Sequence, residues 1–266
     1  GQVSLADLIS IGNIAKNIIL IGDQNQLGQP IRGTHPNDSG QSILDYLLEG
    51  NDTIPEDRGI FLNKTYRLNS KLNEFISSNF YEERLICDER TDKRIITFNK
   101  ESKVKDSGIS YIEMNHKNNV QTSIEEFEVI KDLMNEMIGL EFDEQGIKRK
   151  LTVDDFLIIS PYNTQVNFLI SKLEEFKIKN PRVGTIDKFQ GQEAPITIIS
   201  MTSSDSDSLP RNKEFFFSRN RLNVAISRAQ VASIILFNPN LLDSSPKNLD
   251  QIKLINNFFK ILNYKV

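Results

Sequence analysis

The sequence holds one cysteine, Cys87, in 266 residues. No disulfide can form within the chain, and a reducing compartment is expected. Its two histidines, His35 and His116, belong to no ligand-spaced cluster, so a zinc-dependent hydrolase lacks its donors. No apolar run approaches the ~20 residues of a membrane helix, and no basic-then-apolar leader opens the chain. A cytoplasmic protein with no membrane partner is the expectation. Positive charge is not in excess either: 32 Lys and Arg against 36 Asp and Glu give a net charge of -4. Contact with nucleic acid would therefore depend on local patches. Gly-Lys-Ser and Gly-Lys-Thr are absent, and with them the loop that cradles phosphates in many nucleotide hydrolases.

A hydrophobic fraction of 38% beside 26% charged residues is that of a globular chain with an ample core. Short apolar runs alternate with helical patterns. Asn17–Ile21, Ile60–Leu62, Ile109–Ile112, Phe156–Ser160, Ile196–Ser200 and Ser233–Phe237 read as strands. Val3–Ile9, Ser42–Leu48, Leu72–Phe80, a helix opened by the capping box Ser123-Ile124-Glu125-Glu126, Val166–Leu173 and Leu249–Leu262 read as helices, with Ser39 as a candidate cap for the second. The charged run Asp88–Arg94 and the stretch Glu141–Lys150 read as solvated loops. Strands alternating with helices predict an α/β fold with a doubly wound, mostly parallel sheet.

Polar loops at the strand ends carry the candidate chemistry. Val183-Gly184-Thr185-Ile186-Asp187-Lys188-Phe189-Gln190-Gly191-Gln192-Glu193 joins two strands. Downstream, Arg219-Asn220-Arg221-Leu222-Asn223-Val224-Ala225-Ile226-Ser227-Arg228 sets Arg221 and Arg228 seven apart, on one face if helical. Together these stretches resemble motifs V and VI of superfamily 1 helicases, closest to the Upf1-like group. Gly22-Asp23-Gln24-Asn25-Gln26 resembles motif III, Thr65-Tyr66-Arg67 the family's Gln-Tyr-Arg, and Pro161-Tyr162-Asn163-Thr164-Gln165 the motif IV region.

The resemblance implies a RecA-like fold of the P-loop NTPase class, with residues 1–58 a remnant of the first lobe and residues 59–266 the second. It implies that ATP with Mg2+ is the nucleotide, that Gln26 senses the γ-phosphate, and that Arg67 and Arg228 are arginine fingers. Asp23, Tyr66, Glu193 and Arg221 would hold the nucleotide, Tyr66 by stacking and Glu193 through the ribose. Pro161, Tyr162, Asn163, Gln165, Thr185, Asp187, Gln190 and Thr202 would grip single-stranded DNA or RNA by its backbone. Plainer readings stand beside these: Tyr66 as a buried ring with Arg67 on the surface, and Asn163 as a helix cap. Phe215-Phe216-Phe217 reads as core packing before base stacking. Neither Asp-Glu pair, Asp88-Glu89 or Asp143-Glu144, falls where a magnesium-binding acidic motif belongs. The chain thus looks like a fragment cut after motif II, whose first lobe is the missing partner. The competing reading is a nucleic-acid-binding module that kept the fold and lost catalysis.

Overall fold

The structure is a computed structural model, and it describes residues 2–28, 36–37, 39–206, 209, 217–243 and 249–262. In chain order the elements are α1 (Leu5–Gly12), α2 (Ile43–Leu48), β1 (Lys64–Thr65), α3 (Ser70–Phe80), β2 (Ile86–Cys87), α4 (Glu89–Asp92), β3 (Ile95–Thr97), β4 (Gly108–Glu113) and α5 (Ile124–Met137). The hairpin β5 (Glu141–Glu144) and β6 (Ile147–Lys150) follows, then β7 (Phe156–Ile159), α6 (Asn163–Glu175), β8 (Val183–Gly184), β9 (Ala194–Ser200), α7 (Arg219–Ser227), β10 (Ala229–Phe237) and α8 (Leu249–Leu262).

Five strands form the central sheet in the order β4-β10-β9-β7-β8, every pairing parallel. Parallel strands need helical crossovers on both faces, and the side chains sort accordingly. Along β7, Leu157 and Ile159 join one core with Leu72, Phe75 and Leu222 from α3 and α7. Phe156 and Ile158 join another with Phe127, Ile130 and Leu169 from α5 and α6. Period-two alternation thus divides one strand between two helix layers, the doubly wound arrangement. Phe217 and Phe258 are fully buried in the first core, their ring centroids 5.2 Å apart. The core reading holds for Phe217, while Phe215 and Phe216 lie outside the described residues, as do Thr34 and His35.

Several local expectations are corrected. Asn17–Ile21 forms no strand, with Ile19 and Ile21 86% and 87% exposed. An apolar run becomes a strand only beside a neighbour, and among the described residues none adjoins it. Ile60 and Leu62 are likewise exposed, and the strand begins at Lys64 and pairs in parallel with Ile86–Cys87. Ser42, rather than Ser39, precedes α2. Glu141–Lys150 is an antiparallel hairpin turning through Gln145 and Gly146, both at positive φ. Asp88–Arg94 is no solvated loop: it holds the short helix α4, with Asp88 and Arg94 both buried.

Candidate nucleotide and nucleic-acid sites

Two clusters lie at opposite edges of the sheet. The first gathers where β9 and β10 begin. Arg67, between β1 and α3, donates from Nε to Glu193 Oε2 at 2.5 Å and from a terminal nitrogen to the Ser227 carbonyl at 3.2 Å. Glu193, just before β9, also accepts from Gln230 at 2.9 Å. Arg228, the residue capping α7, is only 3% exposed and donates to the carbonyls of Gln192 (3.2 Å) and Val224 (3.3 Å). The structure therefore brings Arg67, Glu193 and Arg228 together.

Burial, then the positive charge of Arg67, pushes Arg228 well below an ordinary arginine, to about 10. Burial alone would raise the Glu193 carboxyl, but the hydrogen bonds from Arg67 and Gln230 prevail and hold it below 4.5. A third guanidinium went unseen in the sequence: Arg94 is buried and donates to the Arg67 carbonyl at 2.6 Å. Only its place in a charged run marked it, and charged runs mostly face solvent. Three cations around one carboxylate leave an excess of positive charge suited to a polyanion. Tyr66 is 60% exposed, with Lys64 and Arg90 each 5.6 Å from its ring centre, so the buried-ring reading falls.

The second cluster lies at the carboxyl ends of β7, β8 and β9, where open α/β sheets receive ligands. A cavity of about 160 Å³ has Ile159, Ile199, Met201, Leu222 and Ala225 as its floor and Pro161, Asn163, Thr185, Asp187 and Arg221 around it. Gly184, ending β8, admits the ring of Phe189, which would stand 3.2 Å from any Cβ there. Phe189 anchors the single 3₁₀ turn Ile186–Phe189 that presents Asp187. Gly191, at φ +79°, lets the chain turn back toward Glu193. Arg221 sits here, donating to Asp187 at 3.1 Å, and not with Glu193 where a nucleotide-holding role would put it. Gln190 is exposed on the turn and does not line the cavity.

Three expected nucleic-acid contacts are corrected by burial. Thr202 is fully buried at φ +69°, its N–H donating to both oxygens of Glu126 and its hydroxyl bonded to Ser160 and Ser200. Gln165 is fully buried, bridging the backbone of Ser123 and the Ser200 hydroxyl. Tyr162 is 4% exposed, its hydroxyl accepting from Ser203. Thr202 and Gln165 belong to an internal network around Glu126, which also accepts from Ser200 and faces His116 Nε2 at 3.4 Å. Burial raises the Glu126 carboxyl against the pull of those partners.

Asp23 and Gln26 bond to each other at 3.0 Å, and Tyr81 donates to Asp23 at 2.6 Å. Burial and Asp23 raise the Tyr81 phenol so that it stays a donor. Among the described residues neither Asp23 nor Gln26 bonds to Arg67, Glu193 or Arg228. Their loop docks instead on α7: Asn220 donates to the Gln24 and Gln26 carbonyls, Asn223 to that of Asn25, and Arg219 grips Asp52 bidentately at 2.5 and 2.8 Å.

A sheet wound on both faces, with charged clusters at both strand edges, defines a RecA-like lobe. A protein-family profile described as an AAA domain matches residues 40–240, and the chain belongs to that family. Its relatives are superfamily 1 helicases, within which it is a C-terminal RecA-like domain. It is 26% identical over 270 residues to the probable RNA helicase armi of Drosophila melanogaster, covering 90% of this chain and 22% of that protein. It is 28% identical over 250 residues to the ATP-dependent helicase MJ0104 of Methanocaldococcus jannaschii, covering 90% and 34%. It is 27% identical over 252 residues to the Neurospora crassa homolog of regulator of nonsense transcripts 1, covering 85% and 21%. The chain thus spans about a fifth to a third of the length of these relatives. No helix among the described residues is long and apolar enough to cross a membrane.

Proposed function

We propose that this chain is the second motor lobe of an ATP-dependent helicase, residues 59–266, preceded by a first-lobe remnant, residues 1–58. The observation that carries the reading is the convergence of Arg67, Arg94 and Arg228 around Glu193. A transferring γ-phosphoryl group spreads charge over three oxygens, and cations from more than one direction stabilise it. Arg67 and Arg228 would supply them from the second lobe, with Glu193 holding Arg67 through its Nε and accepting from the ribose, and exposed Tyr66 offering a ring to the base. Gln26, tied to Asp23 and resting on α7, would sense the γ-phosphate through that helix. Asn163, Thr185, Asp187, Arg221 and the exposed Gln190 would meet single-stranded DNA or RNA at the other edge.

Among the described residues no group of three His, Cys, Asp or Glu could hold a metal ion, so Mg2+ would come with the triphosphate and the first lobe. The exposed isoleucines of Asn17–Ile21 fit a strand that completes that lobe's sheet. The lone free cysteine supports a cytoplasmic setting.

Steady-state ATP turnover with single-stranded nucleic acid tests the reading. The isolated chain should be inert, and the enzyme with both lobes should lose ~10³-fold or more in kcat on Arg67→Ala. Robust turnover by the chain alone, or wild-type turnover in that variant, refutes it.

A further inference from the structure

The cavity at the carboxyl ends of β7, β8 and β9 is poorly made for a phosphate. Its floor is mainly apolar: Ile159, Ile186, Ile199, Met201, Leu222 and Ala225, none more than 6% exposed, beside the buried Ser160, whose hydroxyl is bonded to Thr202. The cation on its wall, Arg221, is committed to Asp187 at 3.1 Å, and that carboxylate would repel an anion. Backbone grip alone gives no reason for an apolar hollow of about 160 Å³ beneath the polar residues. We propose that it receives one unstacked nucleobase of the bound single strand. This rests on the reading of the chain as a helicase lobe and adds a base contact to a backbone-gripping surface.

The chemistry suits a flat heterocycle. Its faces would lie against the branched aliphatic floor, which every base satisfies because every base has an apolar face. Its polar edge would meet a carboxylate that accepts, a guanidinium that donates, and the amide of Asn163, which does both. Asp187 can take an exocyclic amino group and Arg221 a ring carbonyl, so the site would accept several bases with modest preference. The base does not belong to the ATP held at the arginine cluster. That cluster lies at the start of β9, and the cavity at its end, seven residues and about 20 Å along the strand.

Fluorescence anisotropy of the chain with oligo(dT) and with an abasic oligodeoxynucleotide of the same length tests the proposal, since both carry the same phosphates. A base in the cavity should make oligo(dT) bind about tenfold tighter or more. Ala225→Phe, which fills the cavity from α7, should bring the ratio of the two affinities to about one. Should that variant fail to fold, Asn163→Ala on the exposed rim should at least halve the ratio, and an undiminished ratio overturns the proposal. Equal binding of both strands by the wild type overturns the base site while a salt-dependent affinity keeps the helicase reading intact. A preference that survives Ala225→Phe places the base contact elsewhere and also overturns it. Displacement of oligo(dT) by ATP alone would assign the hollow to the mononucleotide instead. Binding of neither strand removes both readings.

Discussion

Arg228→Met should make the domain more stable and, on the proposed helicase reading, abolish ATP turnover by the protein with both lobes. Arg228 is 3% exposed, and its burial beside Arg67 pushes it from the ordinary arginine value down to about 10. At 1.36 kcal/mol per unit, the fold disfavours that charge by about 3 kcal/mol. Methionine has similar reach and no charge, so the substitution removes this cost. It forfeits two donated hydrogen bonds, each worth ~1 kcal/mol. Val224 O keeps a donor in the backbone N–H of residue 228, and Glu193 keeps Arg67 and Gln230, so no buried charge is orphaned. The balance is a gain of about 1 kcal/mol in urea denaturation at neutral pH, in keeping with other buried charges replaced by apolar groups.

The sign reverses with pH. Above about 10 the folded chain gives up this proton before the unfolded chain does, so wild-type stability rises relative to Arg228→Met and the gap narrows. In the two-lobe enzyme the same variant should lose ~10³-fold or more in kcat, the scale of an arginine finger. A loss of more than ~1 kcal/mol in stability would show that the guanidinium holds the fold, and undiminished turnover would strip it of a catalytic role.

Three further outcomes are expected. Glu126→Ala should cost about 3–5 kcal/mol in urea denaturation, because the Thr202 N–H and Ser200 hydroxyl lose a buried acceptor; a loss below ~1 kcal/mol contradicts the network. A double-mutant cycle on Asp52 and Arg219, a partly exposed bidentate pair, should give a coupling of about 1 kcal/mol, with faster amide exchange around Asn25; zero coupling means the loop docks without that pair. Because Glu193 titrates below 4.5 in the folded chain, its ion pair contributes fully above that value and is lost as pH falls through the lower one. Glu193→Gln should therefore flatten the acid limb of the stability curve, and superimposable curves would rule the contribution out.

How far the sequence could be read depended on whether a residue's partners lay in its own pattern. Phe156–Ile159 and the Ser123 cap announced themselves because periodicity and a local cap suffice to form them, although only half of the expected box forms: Ser123 Oγ accepts from the Glu126 N–H, while the Ser123 N–H donates to Gln165 and not to Glu126. The hairpin Glu141–Lys150 did not: of its strands only Phe142 is buried, and it is held by Arg149 stacked 4.8 Å above its ring and a Lys148–Glu141 pair. Nothing in that run alternates. Asn17–Ile21 failed the other way, its pattern asking for neighbours that the described residues do not supply. At the sites, motif order led to Arg67, Glu193 and Arg228, which do meet. It misled at Tyr162, Gln165 and Thr202, because a polar residue in a strand-end motif reads alike whether it faces solvent or satisfies a buried polar partner. Arg94 was hidden because its partner is a backbone carbonyl 27 residues away, which no local pattern encodes.

What joins the two edges of the sheet is α7. Arg221, Leu222 and Ala225 face the cavity, and Arg228 closes the helix among the arginines. Seven residues at 1.5 Å each separate Arg221 from Arg228, about 10 Å of one rigid element. Its flank carries Asn220 and Asn223, which hold the loop bearing Asp23 and Gln26, and Arg219, which grips Asp52. A strand entering the cavity and a triphosphate drawn to the arginines would thus press on one helix, and the loop resting on it would move with that helix. Two ligands that bias the same element are coupled, and the coupling is reciprocal. In a lobe of this build α7 is therefore where nucleotide state and grip on the strand would be exchanged, and loosening its Asn220 and Asn223 contacts should weaken the coupling before it weakens either site.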